Sequence, residues 1–313
     1  MIDGISFRIP TELLRDNRFL EFRGNGNRRE AKYRGLKINS YTDGITNISG
    51  SIHKFYNNGE HNSDDFHLSK YVYAINELSA ILNINPDATR FNKFEFGVNV
   101  LIPVDVKTFT EALIYPLKGI RKMDSLGIAI ELSEYIIKAY VKQTNDNLNV
   151  LRFEIRINKA RNIRNRIEQQ GRFCSTLLDL ADADVWKILG EILIEAYDKF
   201  QYLDIDSLTD VSNDEYKWLY NVSKSSYWLK KWSNAKTKQR EIDRLQKYIK
   251  EHSTSTTFDD VRYLIIEKTN SLIDDVIKSQ SVMKKSPPPK KGKMAYVSSQ
   301  NYLLNLRQKQ VVI

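Results

Sequence analysis

The chain has 313 residues, 41% hydrophobic and 28% charged, enough apolar content for a sizeable core and, by length, for about two domains. Its formal charge of +9 favours a polyanionic partner. The one cysteine, Cys174, excludes a disulfide framework and a cysteine-built zinc site, and points to a reducing, cytoplasmic compartment. No stretch approaches the roughly 20 apolar residues of a membrane span, and MIDGISFRIP alternates like a strand instead of carrying a charged leader and apolar run. A soluble, non-exported protein with no membrane partner is expected.

Residues 1–10 read as a strand stopped by Pro10. Residues 11–35 are polar and Arg-rich and read as a loop with a short helix. Strands follow at 36–41 and 45–56, joined through Thr42-Asp43-Gly44, which holds the Asp-Gly hairpin signal. Leu68, Val72, Ala74, Ile75, Leu78 and Ile81 place a helix over 66–82. A strand over 91–102 ends at Pro103. Asp105 caps a helix running from Val106 towards Tyr115, which Pro116 closes. Residues 117–130 read as a short strand and turn. Two amphipathic strands then flank the polar turn Thr144-Asn145-Asp146-Asn147.

The pattern changes after Ile157. Residues 160–170 are helical and Arg-rich, and 175–280 are helical almost throughout, in about five helices with breaks near 204–213 and 252–257. Three parts are expected: a mixed α+β domain over 1–173, an all-helical domain over 174–280 and a tail over 281–313 containing the basic, Pro-rich KKSPPPKKGK.

The strands at 135–142 and 151–157 carry the densest chemistry. Ile136, Lys138, Tyr140 and Lys142 share one face of the first; Arg152, Glu154 and Arg156 share one face of the second. Paired, they place a tyrosine between two lysines on the same sheet as a carboxylate between two arginines. A phenol ionises near ~10 and is a poor nucleophile until a cation or base lowers that value. Lys138 and Lys142 are spaced to favour the phenolate of Tyr140, whereas Tyr135 lies on the opposite face. Guanidinium forks suit phosphates, so Arg152 and Arg156 are candidate DNA contacts.

The strand at 92–100 sets Lys93, Glu95, Gly97 and Asn99 on its polar face. Glu95 and Asn99, with Gly97 between them, supply hard oxygen donors that suit Mg²⁺ or Mn²⁺, and Glu154 and His53 are further candidate ligands. The plain alternative for either strand alone is a solvated sheet face. No histidine spacing makes a firm metal site, and GxxxxGK[ST], G-x-S-x-G and HExxH are all missing from the sequence. Residues 222–251 are the most basic segment, with Lys230, Lys231 and Lys236 interleaved among Tyr227, Trp228 and Trp232. Such helices suit a DNA backbone; the alternative is a solvated face over core tryptophans.

The order of these pieces resembles a family. The strand Met1–Pro10, Gly50-Ser51-Ile52-His53-Lys54-Phe55, Asn57-Asn58-Gly59-Glu60-His61-Asn62, Phe94-Glu95-Phe96-Gly97-Val98-Asn99-Val100, Tyr135–Lys142 and Leu151-Arg152-Phe153-Glu154-Ile155 follow one another. The succession is similar to that of rolling-circle replication initiators of the filamentous-phage gene II/gene X type, in the branch found in phages and plasmids of Bacteroidetes. The likeness covers roughly residues 1–180. It implies an HUH-endonuclease-like α+β fold: an antiparallel sheet with flanking helices.

The resemblance also implies site-specific nicking and rejoining of one strand of single-stranded or supercoiled origin DNA, in concert with host replication machinery in a bacterial cytoplasm. The attacking tyrosine maps onto Tyr140, which would remain joined to the 5′-phosphate, and the acidic metal-site position maps onto Glu95. The wider superfamily carries His-hydrophobe-His where this chain has Lys93-Phe94-Glu95. That departure keeps open a rival: a catalytically inactive DNA-binding replication regulator derived from the same family.

Overall fold

Alternating residues in most of the strand-like runs close into one antiparallel sheet. The structure, a computed structural model, describes residues 1–14, 17–24, 27–143 and 149–283. In chain order, strands Ile2–Pro10 (β1), Arg28–Tyr33 (β2), Leu36–Tyr41 (β3) and Ile45–Ser51 (β4) precede helices Ile52–Tyr56 (α1) and Leu68–Leu82 (α2). Phe91–Leu101 (β5), helix Val106–Ala112 (α3), Leu113–Ile114 (β6), Ile120–Met123 (β7), Gly127–Glu131 (β8), Tyr135–Lys142 (β9) and Val150–Ile157 (β10) follow. The remainder is helical: Arg161–Gln169 (α4), Ala183–Tyr197 (α5), the short strand Gln201–Tyr202 (β11), Asn213–Val222 (α6), Ser225–Leu229 (α7), Ala235–His252 (α8) and Thr257–Met283 (α9).

Nine strands form one sheet in the order β2-β3-β4-β1-β5-β10-β9-β8-β7, every pair antiparallel. β6 and β11 pair separately. The protein is therefore α+β, with a large antiparallel sheet and several helices. Residues Met1–Ile277 form one compact unit. Lys278–Ile313 is a second, of which the structure describes the end of α9.

The two faces of the sheet differ. On one, Phe7, Phe94, Phe96, Phe153, Ile155 and Ile137 are buried in the main core. Helix α5 closes that side: Tyr197 meets Phe153 edge-on at 5.4 Å, and Trp186 donates to the Leu180 carbonyl at 2.7 Å. Each such buried side chain contributes roughly 1.5–3 kcal/mol. A second cluster gathers Leu219, Val222, Trp228, Ile242, Leu245 and Tyr248 from α6, α7 and α8. The opposite sheet face carries most of the polar strand residues, with Ile45, Leu101, Ile120 and Ile136 among them, as an antiparallel sheet permits.

Four local expectations change. Residues 52–56 are a helix, not the end of a strand: the Ser51 hydroxyl accepts from the Lys54 amide, and Ile52 and Phe55 are buried one turn apart. Residues 28–33 are a strand, with Ala31 alone buried, so the edge position leaves almost no apolar period to see. The helix from Val106 stops at Ala112, where Leu113 and Ile114 pair with β11. Residues 117–130 hold two strands, β7 and part of β8. The turn at 144–147 and the tail from residue 284 lie outside the described residues.

Candidate active site

β9 and β10 pair as their alternation predicts, with Tyr140 opposite Arg152 and Lys138 opposite Glu154. β10 in turn sets Arg156 against Glu95, Glu154 against Gly97 and Arg152 against Asn99. All seven polar side chains therefore face the same side of the sheet. Gly97 makes this approach possible. A Cβ there would lie 2.3 Å from the Phe153 carbonyl and 2.5 Å from the Glu154 Cβ.

The next strand adds a residue that alternation hides. β1 pairs Ile2 with Phe96 and Ile5 with Phe94, three steps against two. This bulge returns Ile2 and Ile5 to the apolar face and turns Asp3 into the polar one. Asp3 accepts from Asn62 Nδ2 at 2.8 Å, from Arg152 Nη2 at 3.3 Å and from the Ser51 hydroxyl.

Arg152 is the hub. Its side chain is 4% exposed, and it donates from Nε to Glu154 at 2.9 Å, from Nη1 to Asn99 at 3.2 Å and from Nη2 to Asp3. Lys138 donates to the other oxygen of Glu154 at 2.9 Å. Burial works against the charge on Glu154, but Arg152 and Lys138 outweigh it and hold the carboxyl at about 2. Burial likewise opposes the charge on Arg152, and Glu154 and Asp3 overcome it, so the guanidinium stays protonated.

Tyr140 is half-buried beside this network. Its hydroxyl is pushed above the ordinary phenol value, first by burial and then by the Glu154 carboxylate, with Arg152 pulling the other way. This corrects the expectation that the flanking lysines favour phenolate. Both are engaged elsewhere, Lys138 with Glu154 and Lys142 with Asn62 Oδ1 at 2.7 Å. Burial, then Arg152, lowers the Lys142 ammonium. Tyr135 packs against the helix-covered core, as its parity requires.

A loop between α1 and α2 reaches this face. Asn62 bridges Lys142 and Asp3, and the Ser63 carbonyl accepts from Asn99 at 3.1 Å. Asp64 accepts from Lys70 at 2.9 Å and from Asn57 at 2.7 Å. His53 is buried, stacks on Phe66 at 4.5 Å and lies 2.7 Å from Asp64. Burial brings its ring down to about 4 despite Asp64, so it is neutral at pH 7 and donates to that carboxylate. A cavity of about 10 Å³, near the size of one water, lies between Asp3, His53, Asp64, Asn99 and Arg152.

The residues expected to hold a divalent cation are differently occupied. Both Glu154 oxygens are taken by protein cations, Glu95 is paired with Arg156, and His53 is paired with Asp64. Among the described residues no three His, Cys, Asp or Glu side chains are grouped to hold a metal. As arranged, Glu95, Glu154 and His53 do not fit such a site. Of the two arginines expected to meet phosphate, Arg152 is buried and engaged, while the Arg156 side chain is 43% exposed.

Lys230, Lys231 and Lys236 are exposed, apart from the sheet strands. Lys230 sits over the rings of Tyr227 at 3.6 Å and Trp232 at 4.2 Å, and Arg244 over Trp218 at 4.1 Å. Glu241 ties that surface together, accepting from Trp218 Nε1 and the Tyr227 hydroxyl, both at 2.6 Å.

Alternation alone misses Asp3, Asn62 and Asp64. The Asp3-Gly4 pair inside an apolar run was the available signal for the first, since such a pair marks a bulge. No local pattern marks the loop residues. No described helix is long and apolar enough to cross a membrane. Compared with known proteins, the chain matches no family model, no curated protein and no solved structure.

Proposed function

We propose that the protein is a rolling-circle replication initiator: an HUH-endonuclease-like nicking and rejoining enzyme in which Tyr140 is the nucleophile. The observation that carries this reading is the placement of Tyr140 on the polar face of an antiparallel sheet, in register with Arg152 and flanked by Lys138 and Lys142. In the step, the Tyr140 oxygen bonds to phosphorus and the bond from phosphorus to the 3′-oxygen breaks. The phenol proton leaves as the 3′-oxygen gains one, so the exchange balances. The chain keeps the 5′-phosphate and the freed 3′-OH primes synthesis; the reverse reaction rejoins the strand.

Arg152, fixed by three partners, sets a permanent positive charge opposite Tyr140, which the Glu154 and Asp3 carboxylates offset. Arg156, Lys138 and Lys142 are the less buried cations of this face, and a phosphodiester would compete for them with Glu95, Glu154 and Asn62. No step is routed through a divalent cation, because its expected donors are already paired. Lys230, Lys231 and Lys236 would contact flanking DNA, each through a salt-dependent phosphate contact. Nicking of supercoiled plasmid carrying the cognate origin tests the reading. Wild type converts it to open circles and Tyr140→Phe does not; equal nicking by both rejects Tyr140.

One finding favours the rival reading, a catalytically inactive DNA-binding regulator. The Tyr140 hydroxyl is harder to ionise than a free phenol, and the carboxylates around it are paired. Origin binding with no strand cleavage by the wild-type protein would establish that alternative.

A further inference from the structure

The polar sheet face does not stop at Tyr140. Pairings across β2, β3, β4, β1 and β5 bring Lys32, Lys37, Ser49, Ser6 and Lys93 into one row perpendicular to the strands. Lys93 has the same parity on β5 as Glu95, so the row lies on the Tyr140 side of the sheet. At ~4.8 Å per strand it spans ~19 Å. Carried on past β5 and β10 it reaches the level of Asn158 and Glu134, about six residues (~20 Å) along the strands from Tyr140, on the same face. A second row, ~7 Å along the strands, carries Glu30, Asn39, Asn47 and Arg8.

The charges in this half are unbalanced. Lys32, Lys37, Lys93 and Arg8 are exposed. Lys32 and Lys37 stand directly opposite each other, an arrangement that costs stability without a counter-ion. Glu30 pairs with Lys37 at 3.4 Å and is shared with Arg28 at 2.9 Å. Arg8 is bonded to the neutral amide of Asn47 at 2.9 Å. Among the described residues neither Lys32 nor Lys93 has an acid within ion-pair distance. The bare row thus carries an electrostatic cost that an anion would remove, and its linear spacing suits a chain of phosphates.

We infer that the Lys32–Lys37–Ser49–Ser6–Lys93 row is a backbone track for one strand of DNA, on the same sheet face as Tyr140. It rests on the nicking reading for its substrate class. The row is one charge wide, and the central serines present small hydroxyls, so its contacts are to phosphates and not to base edges. A single strand lies along such a row; a duplex meets it only where its backbone crosses.

The test uses the full chain carrying Tyr140→Phe, so that cleavage plays no part. Anisotropy of a labelled single-stranded oligonucleotide is followed over a range of salt concentrations. The triple variant Lys32→Ala, Lys37→Ala, Lys93→Ala is expected to bind about tenfold more weakly and to lose about 2 from the slope of log affinity against log salt. Lys→Arg at the same three positions retains both affinity and slope. Lys107→Ala with Lys187→Ala, on the helices α3 and α5, changes neither. Unchanged affinity and slope in the triple alanine variant, with a native circular dichroism spectrum, overturns the track. So does an equal loss for a duplex of the same sequence. A covalent-adduct assay of the same triple variant with Tyr140 restored separates the two ideas: loss of binding in a chain whose wild type forms no adduct leaves the track standing and removes the nicking reading.

Discussion

The two halves of the open sheet face use the same residue types in opposite ways. Around β10 and the first residues of β1, Arg152, Glu154 and Asp3 are buried, and each charge meets another from the protein. Over β2, β3 and β1, Lys32, Lys37 and Arg8 stand exposed, with one acid between them. The first half is a fixed field, assembled during folding and insensitive to salt. The second is a surface whose energy depends on what lies on it and on ionic strength. On the proposed reading, DNA held by the second half lies on the same sheet face as the first.

Breaking the buried half has the largest expected effect. Arg152→Met leaves Glu154 and Asp3 without their shared partner and destabilises the fold by about 3–5 kcal/mol, measured by urea unfolding. Gly97→Ala forces a methyl into the Phe153 carbonyl and costs about 1–3 kcal/mol in the same measurement.

The pH dependence sharpens the contrast. The folded value of His53 lies near 4, below the ordinary 6.5, so the unfolded chain binds the extra proton first. Its contribution is present above about pH 6.5 and is lost as pH falls towards 4, on the order of 3 kcal/mol. His53→Gln flattens that window in a pH series of unfolding curves. Glu154 is held near 2 against an ordinary 4.5, so its contribution survives at pH 5 and is lost as pH falls towards 2.

Smaller effects follow on the helices. Arg244→Ala removes the cation above Trp218 and costs about 0.5–1 kcal/mol. Millimolar Mg²⁺ or Mn²⁺ leaves the melting temperature of the DNA-free protein unchanged, because Glu95 and Glu154 are already paired. A clear rise would show that the ion displaces Arg156 or Lys138.

Much of the sheet was legible because its central strands obey a period of two. β5 and β9 each bury one parity, and the apolar residues Leu151, Phe153, Ile155 and Ile157 of β10 share one parity, so the facing of Tyr140, Glu95 and Glu154 followed from counting. Asp3 was not legible that way. It shares parity with Ile5 and Phe7, and only the bulge turns it over. α1 was misread because Ile52 and Phe55 suit either element until the Ser51 cap is seen. The burial of Arg152 was hidden for another reason. Periodicity says which face a residue takes, but not that neighbouring strands and a distant loop will cover that face.

The most direct measurement is capture of the proposed intermediate. Wild-type protein is incubated with 3′-labelled single-stranded oligonucleotides of randomised sequence, denatured, and examined for label on the polypeptide. The account predicts labelled protein, with peptide mass spectrometry placing the nucleotide on Tyr140, loss of label in Tyr140→Phe and retention in Tyr135→Phe. Label persisting in Tyr140→Phe, or no label on the wild-type chain under conditions where it binds the oligonucleotides, would contradict it.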